Sequence, residues 1–487
     1  MIRQAVIVAA GNGSRIQRSK KDVPKPLRKV CGLPLIKRAI LTAKLAGIRD
    51  FVVVVGYKGD QIIAALSKDP SLGVNLQFVT NPDWNKSNGL SLLAARPYIQ
   101  GDFLLMMSDH LFDRKAVEKI VKMTPSTDEV VLAVDKKLDD IFDLDDATKV
   151  KMVGDRVVRI GKDLPAYDAF DTGLFRLSPS IFEVIERIRR EKGDASISDG
   201  VRFFAIQGQM GTCDISDYFW QDVDTPEALA HAEKVLFKSL RKPTDGWISR
   251  HINRPISTTI SRFLVRTPLS ANQVTFLVTI VGLLSGYFVS SGRYRDVVIG
   301  GILFNLASIL DGCDGEIAKL KLTASKAGEW LDTISDNLTY LVFLVGVSMG
   351  AHRIVHGSFE VFEAAFMLVG LAFLLVIMAV YLIYHADSGT LTAIQKDLSE
   401  EEQKNSGKGM FAWTGKIKFV MKRDFFALAF MTLCLLDHLP LVLHLSFVGV
   451  NLTWIVILAY KRDLFKPAES TSQGEPFVEK VKASEPR

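Results

Sequence analysis

Four aspartates in the C-terminal half of the chain stand within otherwise apolar segments. They form two pairs, Asp311 with Asp314 and Asp332 with Asp336. Spacings of three and four residues place the members of each pair on one face of a helix. A carboxylate inside an apolar span is costly and marks function, and four that face one another form an oxygen-rich site suited to Mg²⁺ or Mn²⁺. We therefore expect a divalent metal site here and favour it over helix capping near an interface.

A glycine-rich loop near the N-terminus is a second candidate site. Gly11 and Gly13 follow the apolar run at residues 5–10, and Arg15 and Lys25 come soon after. Residues without a β-carbon let backbone amides turn toward phosphate at the start of a helix. The loop lacks the third glycine of a dinucleotide motif and the Gly-Lys-Ser/Thr of a Walker loop, so a plain strand-to-helix turn is the alternative. With two cations beside it, the loop suits a triphosphate whose pyrophosphate must leave.

The elements that position these groups differ between the two halves of the chain. Up to about residue 240, short apolar runs such as 51–55 and 103–107 alternate with amphipathic stretches such as 35–45. This alternation predicts a Rossmann-like α/β domain at residues 1–240, built on a parallel sheet covered on both faces. Asp109 would then stand at the carboxyl edge of the sheet, where such folds bind ligands.

Six apolar runs predict an all-α domain of six transmembrane helices at residues 267–465. The runs cover about 274–290, 297–320, 330–349, 364–384, 425–436 and 441–460. Most of the basic residues that flank these runs fall on the side that would keep the N-terminal half in the cytoplasm. We therefore expect a multi-pass protein of the cell membrane with a cytoplasmic N-terminal domain.

Two further segments complete the predicted organisation. Residues 241–266 are predicted to form a juxtamembrane amphipathic helix on an anionic leaflet, with apolar side chains every four residues and arginines opposite. The apolar set is Ile248, Ile252, Ile256, Ile260 and Leu264, and the basic set is Arg250, Arg254, Arg262 and Arg266. An ordinary linker helix packed on the soluble domain is the alternative. The tail at residues 466–487 is rich in Ser, Glu and Pro, and it is predicted to be disordered.

Charge and cysteine usage exclude several classes of function. The net charge is only +6, from 60 basic and 54 acidic side chains, so no nucleic-acid partner is expected. The four cysteines lie far apart in the sequence. This pattern argues against a disulfide scaffold and against a thiolate zinc site.

The N-terminal motifs resemble those of the nucleotidyltransferases that make NDP-sugars and CDP-alcohols. The matching segments are residues 9–15 and 24–27, followed by Asp109 and the acidic motif at 220–226. The resemblance implies that Arg15 and Lys25 offset charge on the departing pyrophosphate. It assigns metal binding to Asp109, Asp222 and Asp224, and nucleotide binding to Ala10, Gly11, Gly13, Ser14, Lys25, Asn88 and Gly89. It assigns acceptor binding to Lys162 and Gly173, although a solvated surface lysine is an almost equal interpretation of Lys162.

The C-terminal aspartates resemble the signature of the CDP-alcohol phosphotransferases. The resemblance implies that Asp311, Asp314 and Asp332 bind two metal ions that hold a pyrophosphate. It implies that Asp336 activates the acceptor hydroxyl and also contacts a metal. Gly315, Gly328 and Lys319 are implied to contact the nucleotide, but Lys319 stands where the family has arginine. Lysine keeps the positive charge but cannot bind a phosphate through two parallel hydrogen bonds as arginine does. The role of Lys319 therefore stays open.

The combination resembles the bifunctional family that joins an inositol-1-phosphate cytidylyltransferase to a di-myo-inositol phosphate phosphate synthase. It implies synthesis of CDP-inositol from CTP and inositol-1-phosphate, then transfer of the inositol phosphate group to a second inositol phosphate with release of CMP. Mg²⁺ or Mn²⁺ is expected, with two ions at the membrane site and at least one at the cytoplasmic site. A lipid bilayer and a homodimer partner are also expected.

Two other functions stay open at this point. One is a phospholipid synthase whose N-terminal domain has lost catalysis and only senses nucleotide, and a lipid product would reveal it. The other is a membrane transporter or scaffold with a fused nucleotide sensor, which metal-dependent release of CMP would exclude. The absence of a visible inverted repeat disfavours the transporter.

Overall fold

The computed structural model describes residues 2–13, 15, 23–123, 129–138, 147–241, 246–384 and 423–460. Ser14, the predicted tail at 466–487 and several basic residues counted as cytoplasmic, from Lys416 to Lys422, lie outside the described residues. The chain divides into two compact units, Met1–Lys238 and Ser239–Arg487.

The first unit alternates strands with helices. Its described strands are β1 (Gln4–Ala9), β2 (Lys29–Val30), β3 (Leu33–Pro34), β4 (Asp50–Val55), β5 (Asn75–Thr80), β6 (Phe103–Met107), β7 (His110–Phe112), β8 (Val130–Asp135), β9 (Lys149–Val153), β10 (Arg156–Gly161), β11 (Ala169–Leu177), β12 (Met210–Asp214) and β13 (Trp220–Asp222). Its described α-helices are α1 (Leu35–Leu45), α2 (Gly59–Ser67), α3 (Asn88–Ala94), α4 (Arg114–Lys122), α5 (Ser180–Lys192), α6 (Ile197–Ile206) and α7 (Pro226–Lys238). The apolar runs predicted as β4, β6 and α1 are confirmed to within one residue at each end.

The main sheet is mixed, so the prediction of a parallel sheet is wrong. Its order is β5-β4-β1-β6-β11-β8-β12-β10-β9. The first four strands in this order are parallel, but β11 runs antiparallel to both β6 and β8. A strand buried on both faces is apolar whichever way it runs, and therefore its composition does not reveal its direction.

Strand pairing brings the candidate residues of the first unit to one edge of the sheet. β1 pairs in parallel with β6, with Val8 opposite Met107, so the glycine loop and Asp109 follow neighbouring strands. The short strands β7 and β13 pair antiparallel, which places Asp222 opposite His110. Loops at the carboxyl edge of an α/β sheet are the usual ligand site.

The second unit is helical in its described part. Its α-helices are α8 (Arg254–Leu264), α9 (Ala271–Ser290), α10 (Tyr294–Leu320), α11 (Lys326–Val355), α12 (Ser358–Tyr384), α13 (Arg423–Leu435) and α14 (Leu439–Tyr460). Ser270 begins α9 with a capping box, since its side chain accepts from Gln273 N and the Gln273 side chain accepts from Ser270 N. Phe304 and Phe343 stack in the core with ring centroids 3.8 Å apart.

Four helices in the described residues are long and apolar enough to cross a membrane, whereas six were predicted. The four segments are 271–290, 294–320, 326–355 and 358–377. Of the other two, the described part of α13 covers 13 residues, and α14 covers the 22 residues Leu439–Tyr460, of which 439–455 form a shorter apolar stretch. A span needs about 20 residues, so the count of six is not established.

The juxtamembrane segment is helical over its described residues. A π-helical turn over Ser249–Asn253 precedes α8. The buried side chains of this segment are Ile248, Asn253, Ser257, Ser261 and Val265, while Ile256 is 40% exposed. The face that packs inside the unit is therefore mainly small and polar, and the amphipathic helix on a leaflet stays a prediction. Small polar side chains then let α8 approach α10 closely.

Candidate active sites

The glycine loop of the first unit forms one wall of a cavity of about 270 Å³. Gly13 has a φ of 61°, and a β-carbon there would lie 2.6 Å from Lys25 Cβ. Glycine is therefore required for the loop to pass over the lysine. The cavity lining includes the predicted residues Gly11, Gly13, Arg15, Lys25, Asn88, Asp109 and Asp224.

Lys25 is the buried cation of this cavity. Its Nζ lies 2.5 Å from Asp109 Oδ2, forms a close ion pair with Asp224, and stands 3.9 Å from Asp222 Oδ1. Arg15 Nη2 lies 2.7 Å from Asp224 Oδ2. The structure thus brings together all five charged residues that the sequence assigned to this site.

His110 joins this group, although the sequence analysis did not name it. Its Nδ1 lies 2.9 Å from Asp109 Oδ1 and 3.7 Å from Asp222 Oδ1. One ligand atom from each of these three side chains falls within 4.8 Å of the others. The available signal was its position directly after Asp109, where β7 begins.

The electrostatics of the carboxylates follow from burial and from these neighbours. Burial alone would raise the pKa of Asp109, but Lys25 and His110 lower it overall. Burial raises the pKa of Asp222, with the charge of Asp109 acting in the same direction. Burial opposes protonation of His110, yet the nearby Asp222 and Asp109 raise its pKa.

A larger cavity of about 600 Å³ adjoins these residues. The predicted acceptor residues Lys162 and Gly173 both line it, together with His110 and Asp171. Gly173 has a φ of 75°, and a β-carbon there would lie 2.7 Å from the His110 ring. Asp171 Oδ1 accepts from Gly173 N, and burial raises the pKa of Asp171 to about 6. The volume suits a ligand the size of a phosphorylated sugar or polyol.

Of three other predicted nucleotide residues, Asn88 lines both cavities, whereas Ala10 and Gly89 line neither. Asn88 Oδ1 accepts from Ile197 N. Gly89 is buried against Ala195, where a β-carbon would clash with the carbonyl oxygen. Ala10 O accepts from Tyr57 N, 3.0 Å away. These contacts anchor the loop after β1 and the start of α3.

In the second unit, α10 and α11 bring the four predicted aspartates together. Asp311, Asp332 and Asp336 each offer a carboxylate oxygen within 4.8 Å of the other two. Asp314 joins them through a side-chain hydrogen bond with Asp332, and Thr275 Oγ1 donates to Asp314 Oδ2 over 2.5 Å. The four aspartates therefore lie together on the facing sides of α10 and α11, and Asp314 also contacts α9.

Arg423 completes this cluster and was recognised in the sequence only as a basic residue beside a span. Its Nη1 lies 2.9 Å from Asp311 Oδ2 and 2.5 Å from Asp336 Oδ1. Its guanidinium lies over the ring of Tyr340, 5.3 Å from the centroid. The signal available in the sequence was a charge at the start of the apolar helix α13.

The other residues assigned to the nucleotide stand at the ends of these helices. Lys319 Nζ donates to Ser239 O over 2.6 Å. A β-carbon on Gly315 would meet nothing within 4 Å, and one on Gly328 would lie 3.2 Å from Ser325 Oγ. Gly315 therefore leaves open space beside the carboxylates, as the resemblance implies, whereas Lys319 contacts a backbone carbonyl.

Both carboxylate groups have the donor chemistry of a hard divalent cation. Among the described residues, Asp222 Oδ1 and Asp332 Oδ1 are buried without a hydrogen-bond partner. Such atoms are costly unless something binds them. Carboxylate oxygens are the ligands preferred by Mg²⁺ and Mn²⁺, so both sites could hold such an ion.

Comparison with known proteins gives a family match for each unit. Residues 5–199 match the family described as MobA-like NTP transferase domain. Residues 269–460 match the family described as CDP-alcohol phosphatidyltransferase. Each match contains the candidate site of its unit, apart from Asp222 and Asp224.

Two curated relatives match about three quarters of the chain, which is more than either unit alone. The chain is 37% identical over 351 residues to the bifunctional IPC transferase and DIPP synthase of Aquifex aeolicus, covering 72% of this chain and 78% of the relative. It is 34% identical over 371 residues to the protein of the same name from Thermococcus kodakarensis, covering 75% and 80%. The structure of the inositol-1-phosphate CTP transferase from T. maritima aligns at 26% identity and a TM-score of 0.42, covering 48% of this chain and 96% of its own.

Proposed function

The chain belongs to the family of bifunctional IPC transferases and DIPP synthases, and from this premise we propose that it catalyses two consecutive reactions. The first makes CDP-inositol from CTP and inositol-1-phosphate. The second transfers the inositol phosphate group of CDP-inositol to another inositol phosphate and releases CMP. The observation that carries the proposal is the presence of one carboxylate cluster with a basic partner in each unit.

In the first reaction, an oxygen of the acceptor phosphate attacks the α-phosphorus of CTP and pyrophosphate leaves. Gly11 and Gly13 let the triphosphate approach the backbone, and Lys25 and Arg15 offset the charge that gathers on pyrophosphate. The 600 Å³ cavity takes the acceptor beside Lys162 and Gly173. Ala10, Ser14, Asn88 and Gly89 complete the proposed nucleotide site.

In the second reaction, a hydroxyl of the acceptor attacks the β-phosphorus of CDP-inositol, and CMP leaves. Asp336 accepts the proton of that hydroxyl. Arg423, which lies within 2.9 Å of Asp311 and closer still to Asp336, holds both carboxylates in place. Gly315, Gly328 and Lys319 are the proposed contacts to the nucleotide.

Divalent metals would supply charge neutralisation at the phosphates of both substrates. In the first unit Asp109, Asp222 and Asp224 would hold at least one ion. In the second unit Asp311, Asp314, Asp332 and Asp336 would hold two. Mg²⁺ and Mn²⁺ both fit these oxygen donors.

We further propose that the second unit lies in the cell membrane and the first faces the cytoplasm. Lys319 and Lys321 stand at the C-terminal end of α10 and Lys326 at the start of the next helix, whereas Arg293 and Arg295 stand at the other end. Arg250, Arg262 and Arg266 precede α9 and so stand at the same side of the proposed membrane domain as these lysines. This side carries the excess of positive charge, which agrees with a cytoplasmic first unit. A homodimer in the bilayer is proposed as the assembly.

The test is to follow pyrophosphate and CMP separately in one reaction. The full-length chain in detergent or liposomes is given CTP, Mg²⁺ and a panel of alcohol phosphates. Inositol-1-phosphate should yield pyrophosphate first and CMP later, with CDP-inositol detected between them. A phospholipid product, or CMP without any pyrophosphate, would overturn the proposal. The ion pairs of Lys25 with Asp109 and Asp224 already disfavour a first unit that only senses nucleotide.

A further inference from the structure

A buried ion pair joins the juxtamembrane helix α8 to the helix that carries Asp311 and Asp314. Glu316 on α10 has a side chain that is 2% exposed, and its Oε1 accepts from Arg254 Nη1 over 2.8 Å. Ser257 Oγ donates to the same oxygen, also over 2.8 Å. A buried carboxylate is tolerated only when paired and hydrogen-bonded, so this contact fixes α8 against α10.

The surrounding residues shape α10 to receive α8. A β-carbon on Gly312 would lie 3.4 Å from Arg254 Nη1 and 3.6 Å from Ser257 Oγ. Cys313, which is fully buried, points its Sγ at Ser257 O over 3.6 Å. Residues 312, 313 and 316 therefore form a contact surface for α8.

This surface lies opposite the carboxylates on α10. At 100° per residue, positions 312, 313 and 316 cluster on the side of the helix turned away from positions 311 and 314. Asp311 meets Asp332 and Asp336 on the front of α10, while Arg254 and Ser257 hold its back. The two contacts together set the rotation of α10 about its axis.

We propose that Arg254 and Glu316 are positioning residues for the transfer reaction, which hold α10 so that Asp311 and Asp314 keep their places opposite the carboxylates of α11. This inference rests on the proposed function. Without the Arg254–Glu316 ion pair, α10 is free to rotate about its axis by a few degrees. The distances between Asp311 and the carboxylates of α11 then change. A shift of about 1 Å at a catalytic group is enough to cost on the order of a hundredfold in rate.

The positioning role of the Arg254–Glu316 ion pair is tested with Arg254→Ala, Arg254→Lys and Glu316→Gln in the full-length chain. Release of CMP from supplied CDP-inositol and inositol phosphate is measured against substrate and Mg²⁺ concentration. For Arg254→Ala we expect kcat to fall at least tenfold, the Mg²⁺ concentration for half-maximal rate to rise, and the KM for CDP-inositol to change less than threefold. Arg254→Lys keeps the charge and should recover part of the loss, and Glu316→Gln should resemble Arg254→Ala.

The matched control is Arg262→Ala, since Arg262 is exposed on the same helix. It should leave CMP release unchanged. Pyrophosphate release from CTP, which is assigned to the first unit, should be unchanged in every variant. This measurement checks that the chain of each variant is intact. If Arg254→Ala lowers the melting temperature but keeps the parental kcat and Mg²⁺ dependence in the folded protein, the pair is only structural and the inference is wrong. If the parent chain releases no CMP at all, the proposed function fails instead.

Discussion

Lys25 balances the negative charge of the cytidylyltransferase site. Its buried ammonium contacts Asp109 and Asp224, and Gly13 packs over its side chain. In the proposed first reaction, the same ammonium meets the pyrophosphate that leaves. Its removal therefore takes away a preorganised cation at the position where charge develops.

We expect Lys25→Ala to slow pyrophosphate release from CTP by about a hundredfold or more, as loss of one charge-stabilising donor does. Steady-state rates with inositol-1-phosphate as acceptor measure the effect. Lys37→Ala is the control, because Lys37 is also ion-paired, to Asp69, but lines neither cavity. Parental rates in Lys25→Ala would remove Lys25 from the site.

Asp171 makes stability depend on pH. Burial raises its folded-state pKa to about 6, above the 3.8 of an ordinary aspartate. The folded protein therefore keeps the proton between these two values after the unfolded chain has lost it. Stability then falls as the pH rises from about 4 to 6, and the loss is complete above pH 6.

Asp171→Asn cannot ionise and keeps the acceptor for Gly173 N. The variant should exceed the parent in stability by about 3 kcal/mol at pH 7.5, and the difference should shrink toward pH 4. Melting temperatures across this range test the expectation, with the exposed Asp163→Asn as control. A difference that does not vary with pH would show that Asp171 is not the titrating group.

The charged residues of both sites were only partly visible in the sequence. The aspartates follow strands or lie in apolar helices, and an acidic residue in such a position is recognisable from the sequence alone. The pairing of β7 with β13 identifies His110 as a site residue, because it places His110 opposite Asp222. The ion pair between Arg423 of α13 and Asp311 of α10 does the same for Arg423. The local signals, a position next to Asp109 and a charge at the start of an apolar helix, do not reveal contacts between segments over a hundred residues apart, so these two residues required the structure.

At the scale of elements, glycines set the distance between the membrane helices. A β-carbon on Gly346 of α11 would collide with Gly286 O of α9, and one on Gly286 would meet Val342 O. Small residues at a helix interface let the backbones approach closely in a membrane. Since α11 also carries Asp332 and Asp336, this packing fixes the position of the second site.

Gly346→Val should force α9 and α11 apart. We expect a loss of stability of about 1–3 kcal/mol, the usual cost of overpacking, together with slower CMP release. Gly449→Val on α14 is the matched control, because a β-carbon there meets nothing within 4 Å. Thermal unfolding in detergent and CMP release are measured on both. Equal behaviour of the two variants would contradict the packing account.

Helix and strand positions were predictable where one local pattern decides them. The helix α1 follows its amphipathic spacing at Leu35–Leu45, and α9 to α12 follow apolar length. Strand direction was not predictable, because β11 is buried along almost its whole length and burial on both faces is the same for either direction. The contact face of α8 depends on the π-helical turn at Ser249–Asn253 and on Glu316 of α10. The four-residue repeat of apolar side chains gives no information about either of these features.

At the scale of the whole molecule, the two reactions are assigned to separate compact units, Met1–Lys238 and Ser239–Arg487. The carboxylates of the first site belong to one unit and those of the second site to the other. CDP-inositol is the product of one unit and the substrate of the other. The central claim is therefore that either reaction can be stopped while the other continues.

The most direct test measures pyrophosphate and CMP from Asp336→Asn and Asp109→Asn in the full-length chain. Asparagine keeps the size of the side chain but does not accept the proton. Asp336→Asn should release pyrophosphate from CTP at the parental rate and accumulate CDP-inositol with almost no CMP. Asp109→Asn should not use CTP, yet should release CMP at the parental rate when CDP-inositol is supplied. If either substitution stops both reactions in a folded protein, the two sites are not independent and the account of two consecutive reactions is contradicted.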